Sequence, residues 1–183
     1  RGNRTHKFNA ENFEAFRSPN FPTLADVGVY IKYNRNAIHK PNFKKLKVNK
    51  KMDSNIAILK LFPGISENVV SSILNIHGLK AVILESYGAG NAPNSDWFIK
   101  LIQTAIKGGL IIFNVSQCQG GSVLMGKYET SIKLQEIGVI GAFDMTTEAA
   151  VAKLMYLLGN LSVKKEIEKM LRKSIVGELT ITN

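Results

Sequence analysis

The stretch Asn55-Ile56-Ala57-Ile58-Leu59-Lys60-Leu61-Phe62-Pro63-Gly64-Ile65-Ser66 sets the frame for the rest of the chain. Between Ile56 and Phe62 only Lys60 carries charge. So apolar a run, this short and closed by a turn, reads as a strand covered on both sides. Pro63-Gly64 turns the chain, and Ser66 offers a side-chain oxygen to the free N–H groups of a helix start. Val69, Val70, Ile73 and Leu74 then recur on one helical face, and Gly78 closes that helix, with His77 at its end.

Toward the C-terminus the same unit repeats. Residues 79–84 form a second apolar strand. Ser95 and Asp96 open a helix carrying Trp97, Phe98, Leu101, Ile102, Ala105 and Ile106, ended by Gly108-Gly109. Residues 110–115 read as a third strand, 128–137 as a helix stopped by Gly138, and Val139-Ile140 as a short fourth strand. Thr146 caps a helix with Ala149, Ala150, Leu154, Leu157 and Leu158, ending at Gly159. Ser162 opens the last helix, which runs to about Lys173. Buried strands alternating with helices predict an α/β fold: a small doubly wound parallel sheet with helices on both faces. Such sheets take ligands beyond the C-terminal ends of their strands. Two loops fall there, residues 85–93 (Glu85 to Pro93) and 116–121 (Ser116-Gln117-Cys118-Gln119-Gly120-Gly121). Their glycines either turn backbone N–H groups toward a ligand or simply permit tight strand-to-helix turns.

Toward the N-terminus the pattern weakens. Residues 9–16 suggest a short helix stopped by Ser18-Pro19-Asn20. Val27, Val29, Ile31 and Tyr33 alternate, predicting one strand over 27–33. Residues 34–54 are polar and basic, a loop or hairpin. The expected division is 1–34, the tail end of a larger α/β domain; 35–54, a basic linker or hairpin; and 55–183, the main α/β domain. The chain opens at Arg1 inside what reads as a motif, which suggests a portion of a longer protein. Residues 1–25 are accordingly expected to pack poorly without their own domain.

Composition narrows the function classes. An apolar content of 45% and a mean hydropathy near zero describe a globular chain of 183 residues. No apolar run reaches the roughly 18–20 residues that span a bilayer, so no membrane partner is expected. The net charge of +10 invites a nucleic-acid reading. Much of the excess sits in Lys40, Lys44, Lys45, Lys47, Lys50 and Lys51, where Phe43 is the lone aromatic and no nucleic-acid motif appears. A solvated lysine-rich loop or edge hairpin is the better reading, since lysines also blunt exposed strand edges, and no nucleic-acid partner is expected.

The common catalytic signatures fail. Gly88-Ala89-Gly90-Asn91 lacks the third glycine of a dinucleotide loop, since Pro93, Asn94 and Ser95 follow. There is no phosphate-binding P-loop. His6, His39 and His77 are scattered, and one cysteine cannot build a structural zinc site. Cys118 has no local base to activate it as a nucleophile. His77 reads as a helix-end residue.

A resemblance carries further. Leu84-Glu85-Ser86-Tyr87-Gly88-Ala89-Gly90-Asn91-Ala92-Pro93, Ser116-Gln117-Cys118, Tyr128-Glu129-Thr130, residues 141–149 (Gly141-Ala142-Phe143-Asp144-Met145-Thr146-Thr147-Glu148-Ala149) and Gly177-Glu178-Leu179-Thr180 resemble the C-terminal domain of type I, cytoplasmic L-asparaginases. Arg1-Gly2-Asn3-Arg4-Thr5-His6-Lys7 and Phe16-Arg17-Ser18-Pro19-Asn20 resemble the end of that family's N-terminal domain. The segments occur in the family's order across nearly the whole chain, with 34–54 as the variable part.

The resemblance implies hydrolysis of L-asparagine to L-aspartate and ammonia through a threonine acyl ester, with a second Thr, an Asp and a Lys moving protons. Only the lysine of those four is matched, by Lys7; the other three belong to sequence preceding Arg1. The chain alone is thus expected to be inactive without its own N-terminal domain, and no cofactor or metal is implied. Tyr128 matches a tyrosine that reaches a neighbouring subunit's active site, which implies a homodimer or homotetramer in the cytoplasm. A distal asparagine site in enteric relatives maps to His6, Glu85, Asn91 and Cys118. Here Glu85 stands where the family has an Arg and His6 where it has a Thr, so asparagine is not expected to activate through it. The rival reading is a non-catalytic small-molecule-binding or oligomerisation module of α/β type.

Overall fold

The computed structural model describes residues 2–40, 45 and 47–181. Four strands, β5 (Ile56–Lys60), β6 (Ala81–Ser86), β7 (Ile111–Ser116) and β8 (Ile140–Gly141), form one parallel sheet in that spatial order. Ile56 faces Ala81, Ala81 faces Ile111, and Phe113 faces Ile140 across the sheet. The apolar runs of β6 and β7 became strands buried on both sides because alternate residues feed two cores. The edge strand β5 is not covered on both sides, as its sequence suggests it would be: Leu59 is buried, but Ile58 and Lys60 on the other face are exposed, because no further strand lies beyond that edge among the described residues. Val82, Leu84 and Ile112 pack with Val70, Phe98, Ile102 and Leu134 of α1 (Glu67–Leu74), α2 (Asp96–Lys107) and α3 (Glu129–Glu136). Ala81, Ile83, Ile111, Phe113 and Val115 pack on the other face with Ala150, Leu154, Leu157, Ile167 and Leu171 of α4 (Thr147–Asn160) and α5 (Lys164–Leu171).

Helices cover both faces, as the sequence predicts, but the strand order never reverses. All three crossover helices therefore share one face, and the chain after β8 supplies the other. The predicted caps of α1 and α4 are present: Ser66 Oγ accepts from Val69 N at 3.4 Å, and Thr146 Oγ1 from Ala149 N at 3.1 Å. Helix α1 ends at Leu74 with Asn75 at its cap position, where the Asn75 side-chain amide donates to Ser71 O, so His77 lies beyond the helix in the following turn. Helix α5 begins at Lys164 with Val163 at its cap position, not at Ser162, and ends at Leu171.

The N-terminal segment departs most from expectation. Residues 9–16 are not helical: the Asn9 carboxamide accepts from the N–H groups of Glu11 and Asn12, which bends the chain. That bend joins β1 (His6–Lys7) to β2 (Phe16–Arg17), antiparallel, with His6 opposite Arg17. The single strand predicted over 27–33 is a hairpin, β3 (Ala25–Val27) and β4 (Ile31–Tyr33), turned at residues 28–30. Gly28 breaks the run, and its N–H donates to Tyr30 O at 3.3 Å. Among the described residues of 35–54 there is no strand; Phe43 and Lys44 lie outside the described residues. The end of this segment is fastened by Asp53 N to Met155 O (2.9 Å) and by the Asn160 amide to Lys51 O (2.9 Å).

Most of residues 2–25 are exposed and only Arg4 among them is buried, yet the segment is tied to the sheet domain at several points. A short 3-10 turn at Gly2–Arg4 buries Arg4 against the main domain, and His6 and Asn20 add further ties. The part between these ties, around Phe13 and Phe16, stays exposed. Among the described residues no helix is long and apolar enough to cross a membrane, and no group of three or more His, Cys, Asp or Glu could hold a metal ion.

Candidate functional site

The C-terminal ends of β6, β7 and β8 open onto one edge of the sheet, where the N-terminal segment also docks. Period-two alternation sends Glu85, like Ile83, toward the α4 face. There its carboxylate accepts from Thr147 Oγ1 at 2.7 Å and pairs with Lys60, its cross-strand neighbour, at 3.7 Å. Gln117 stitches the strand ends together: its Nε2 donates to Leu61 O at 2.6 Å and Glu85 O at 2.8 Å. Ser116 Oγ donates to Gly88 O and accepts from Cys118 N at 3.0 Å, holding the two predicted loops side by side.

His6 reaches this edge from β1. Its Nδ1 lies 3.1 Å from a Glu148 oxygen in the first turn of α4. His6, Lys60, Glu85, Cys118, Thr147 and Glu148 thus line one open cleft of about 500 Å³. The cleft joins three of the four predicted distal-site residues. Asn91, the fourth, faces elsewhere: its Oδ1 accepts from Thr130 Oγ1 at 3.1 Å, beside the start of α3. Two carboxylates beside one lysine and one imidazole make poor company for a ligand carboxylate.

Tyr128 stands at the cap position of α3, half exposed, with its backbone N–H donating to Ser131 Oγ at 3.0 Å. Its ring lies 5.8 Å from the Lys127 ammonium and is open to solvent. Lys7 follows His6 on β1 and so points the opposite way. It is exposed, with Nζ 5.3 Å over the Phe16 ring. Within this chain, then, Lys7 and Tyr128 do not line the cleft that holds Glu85 and Cys118.

Sequence reasoning missed the groups that brace the edge. Arg4 is buried and makes a two-pronged tie to Asp144, Nη1 to Oδ1 at 3.1 Å and Nη2 to Oδ2 at 2.5 Å. Nη2 also donates to Asn20 O and Thr180 Oγ1, each at 2.9 Å. Burial pushes the Asp144 carboxyl up, but the Arg4 guanidinium and the Thr180 N–H outweigh it and hold it below the usual carboxylate range. Asn20 completes the junction by donating to Gly121 O and Asp144 O while accepting from Gly121 N. The motif 141–149 contained Asp144, Thr147 and Glu148, yet nothing in it says which partner each would meet. Asn114 was passed over as well. It is fully buried where β7 meets the loops, its amide donating to Gly90 O at 3.3 Å while its Oδ1 has no partner among the described residues.

Residues 55–171 match the family model for the Glutaminase/Asparaginase C-terminal domain. L-asparaginase 1 of Escherichia coli (strain K12) is 40% identical over 180 residues, covering 98% of this chain and 53% of that protein. The 60 kDa lysophospholipase of Homo sapiens is 38% identical over 182 residues, covering 98% of this chain and 31% of that protein. Among solved structures, L-asparaginase I from Vibrio cholerae O1 biovar eltor superposes with a TM-score of 0.90 at 37% identity, covering 99% of this chain and 55% of that one. The chain thus spans about half the length of these two asparaginases.

Proposed function

Because the chain belongs to the glutaminase/asparaginase C-terminal domain family, we propose that it forms the C-terminal share of a cytoplasmic L-asparaginase. The substrate in this reading is L-asparagine, hydrolysed to L-aspartate and ammonia. The observation that carries it is the end-to-end likeness to L-asparaginase 1, which takes in the N-terminal segment as well as the sheet domain. Residues 1–34 belong in this reading to a preceding domain, 35–54 link the two, and 55–183 are the C-terminal domain.

The chemistry is amide hydrolysis in two steps. A threonine Oγ supplied by the N-terminal domain attacks the side-chain amide carbon and loses its proton to the relay formed by the second Thr, the Asp and the Lys. Ammonia leaves with a proton, and an aspartyl ester remains. Water then attacks the ester and frees aspartate and the threonine. The oxyanion formed in each step needs preplaced donors. Lys7 is the family lysine. Its ammonium holds the Asp–Thr pair in place and eases loss of the threonine proton, a role that suits a lysine closed off from water. In this chain Lys7 is exposed, consistent with a companion domain that covers it.

The surface supports such a companion. Phe13, Phe16, Val27, Val29, Tyr30 and Tyr33 are all strongly exposed on the N-terminal segment, an apolar excess that an N-terminal domain would bury. Tyr128, open to solvent at the head of α3, is free to reach a neighbouring subunit in a homodimer or homotetramer. Glu85, held by Thr147 and Lys60, replaces the arginine that would clamp an effector carboxylate, so the cleft does not relay activation by asparagine.

The test is ammonia release from L-asparagine. The chain would be assayed alone and mixed with the N-terminal half of the Escherichia coli L-asparaginase 1. Silence alone and activity on mixing, lost in Lys7→Ala, is the expected result. Activity of the chain alone would refute the need for outside threonines.

A further inference from the structure

We propose that Arg4 is a positioning residue for Lys7: its buried fork to Asp144 fixes the direction in which β1 presents the Lys7 ammonium. The inference rests on the reading of Lys7 as the family lysine. Its own support is geometric. The Lys7 ammonium lies over Phe16, its cross-strand partner on the same hairpin, and no hydrogen bond or ion pair ties it to the sheet domain among the described residues. Whatever aims it must act through its neighbours in sequence. Two of those, Arg4 and His6, are fastened to the sheet domain, the first at Asp144 and the second at Glu148.

The two ties differ in strength. His6 meets Glu148, whose side chain is 61% exposed, so solvent weakens that contact. The Arg4 and Asp144 side chains are 1% and 13% exposed. Guanidinium and carboxylate meet as two parallel bonds, which restrict angle as well as distance. Arg4 also holds Asn20 O, and β2 (Phe16–Arg17) lies just before Asn20. One guanidinium therefore anchors both ends of the hairpin that carries Lys7. The receiving side is stiff too. Asp144 follows Phe143, at φ 58° the one non-glycine among the described residues in the left-handed region. Such a backbone persists where its surroundings over-determine it, and Asp144 accepts Thr180 N at 2.8 Å. A lysine at position 4 would keep the charge but lose the fork.

The measurement is NMR of the chain with its lysines reductively methylated using ¹³C-formaldehyde. The Lys7 dimethyl signal, identified by its loss in Lys7→Arg, should be displaced by the Phe16 ring. In Arg4→Ala it should return to the position of freely solvated lysines while the amides of β6 and β7 keep their protection against exchange. Arg4→Lys and Asp144→Asn should lie between the two, and they serve if Arg4→Ala does not fold. In the complemented enzyme, kcat should fall about 100-fold in Arg4→Ala with KM within about threefold, the mark of a misplaced group and not of lost binding. A displaced Lys7 signal that survives all three substitutions overturns the proposal. So does full activity of Arg4→Ala where Lys7→Ala is inactive. Full activity of Lys7→Ala would instead overturn the family-lysine reading itself, whatever Arg4 does.

Discussion

Replacing Lys153 with Met should cost the fold more than any surface change, and the cost should depend on pH in an unusual direction. Lys153 lies within α4, and its ammonium bonds to Glu178 Oε1 at 2.7 Å, Leu171 O at 3.1 Å and Lys173 O at 2.5 Å. Glu178 in turn accepts from Ile175 N and Val176 N. Both side chains are under 5% exposed, so removing the cation strands a buried carboxylate and two carbonyls. Breaking one side of such a pair costs about 3–5 kcal/mol. At about 2–4 °C per kcal/mol for a chain of this size, Tm should fall by roughly 6–20 °C. In the parent, burial raises the Glu178 carboxyl, but Lys153 and the backbone N–H groups hold it below its ordinary value. Its contribution is therefore full above a pH of about 4.3 and is lost as pH falls through the folded value. Without Lys153 the burial effect gains ground and the folded value moves up. Protonation then relieves the variant, and its deficit relative to the parent should shrink from pH 7 toward pH 4. Urea unfolding at pH 7, 5.5 and 4.5 gives the difference directly. A deficit under about 1 kcal/mol, or one that does not change with pH, would refute the reasoning.

Gly90 adopts φ 110°, and a Cβ there would lie 2.9 Å from Val123 Cγ1. Gly90→Ala should therefore lose about 1–3 kcal/mol in urea titrations, with new exchange of the amides in the 87–91 turn. Thr146→Ala removes the cap bond to Ala149 N and should lower stability by about 1 kcal/mol with the m-value unchanged. In the complemented enzyme, velocity should rise hyperbolically with asparagine and stay so in Cys118→Ser. Sigmoidal kinetics abolished by that substitution would show that the cleft does take an effector.

The parts of this molecule legible in the sequence are those whose side chains repeat at a fixed period. Strands β6 and β7 announced themselves because both their faces are buried, and α2 because Phe98 and Ile102 recur on one face; β5 reads the same way in sequence, yet its Ile58 is exposed at the sheet edge. The division of helices between the faces was not legible, since it depends on strand order as well as local pattern. Strands β1 and β2 are two residues each and set no period at all. In 27–33 the alternation was real, but Gly28 split it into two strands. At the site, motif resemblance gathered His6, Glu85 and Cys118, which share a cleft. It could not show that Glu85 would be met by Thr147 and Lys60. The fork between Arg4 and Asp144 bridges 140 positions, and no window of sequence holds both partners.

That separation bears on the order in which the molecule assembles. Each strand of the main sheet pairs with the strand made just before it, so the sheet can grow from one edge to the other by short-range closures. Arg4 instead waits for Asp144, at the end of that growth, and for Thr180, 176 positions away. The hairpin carrying Lys7 is synthesised before every strand of that sheet and should find its place after them.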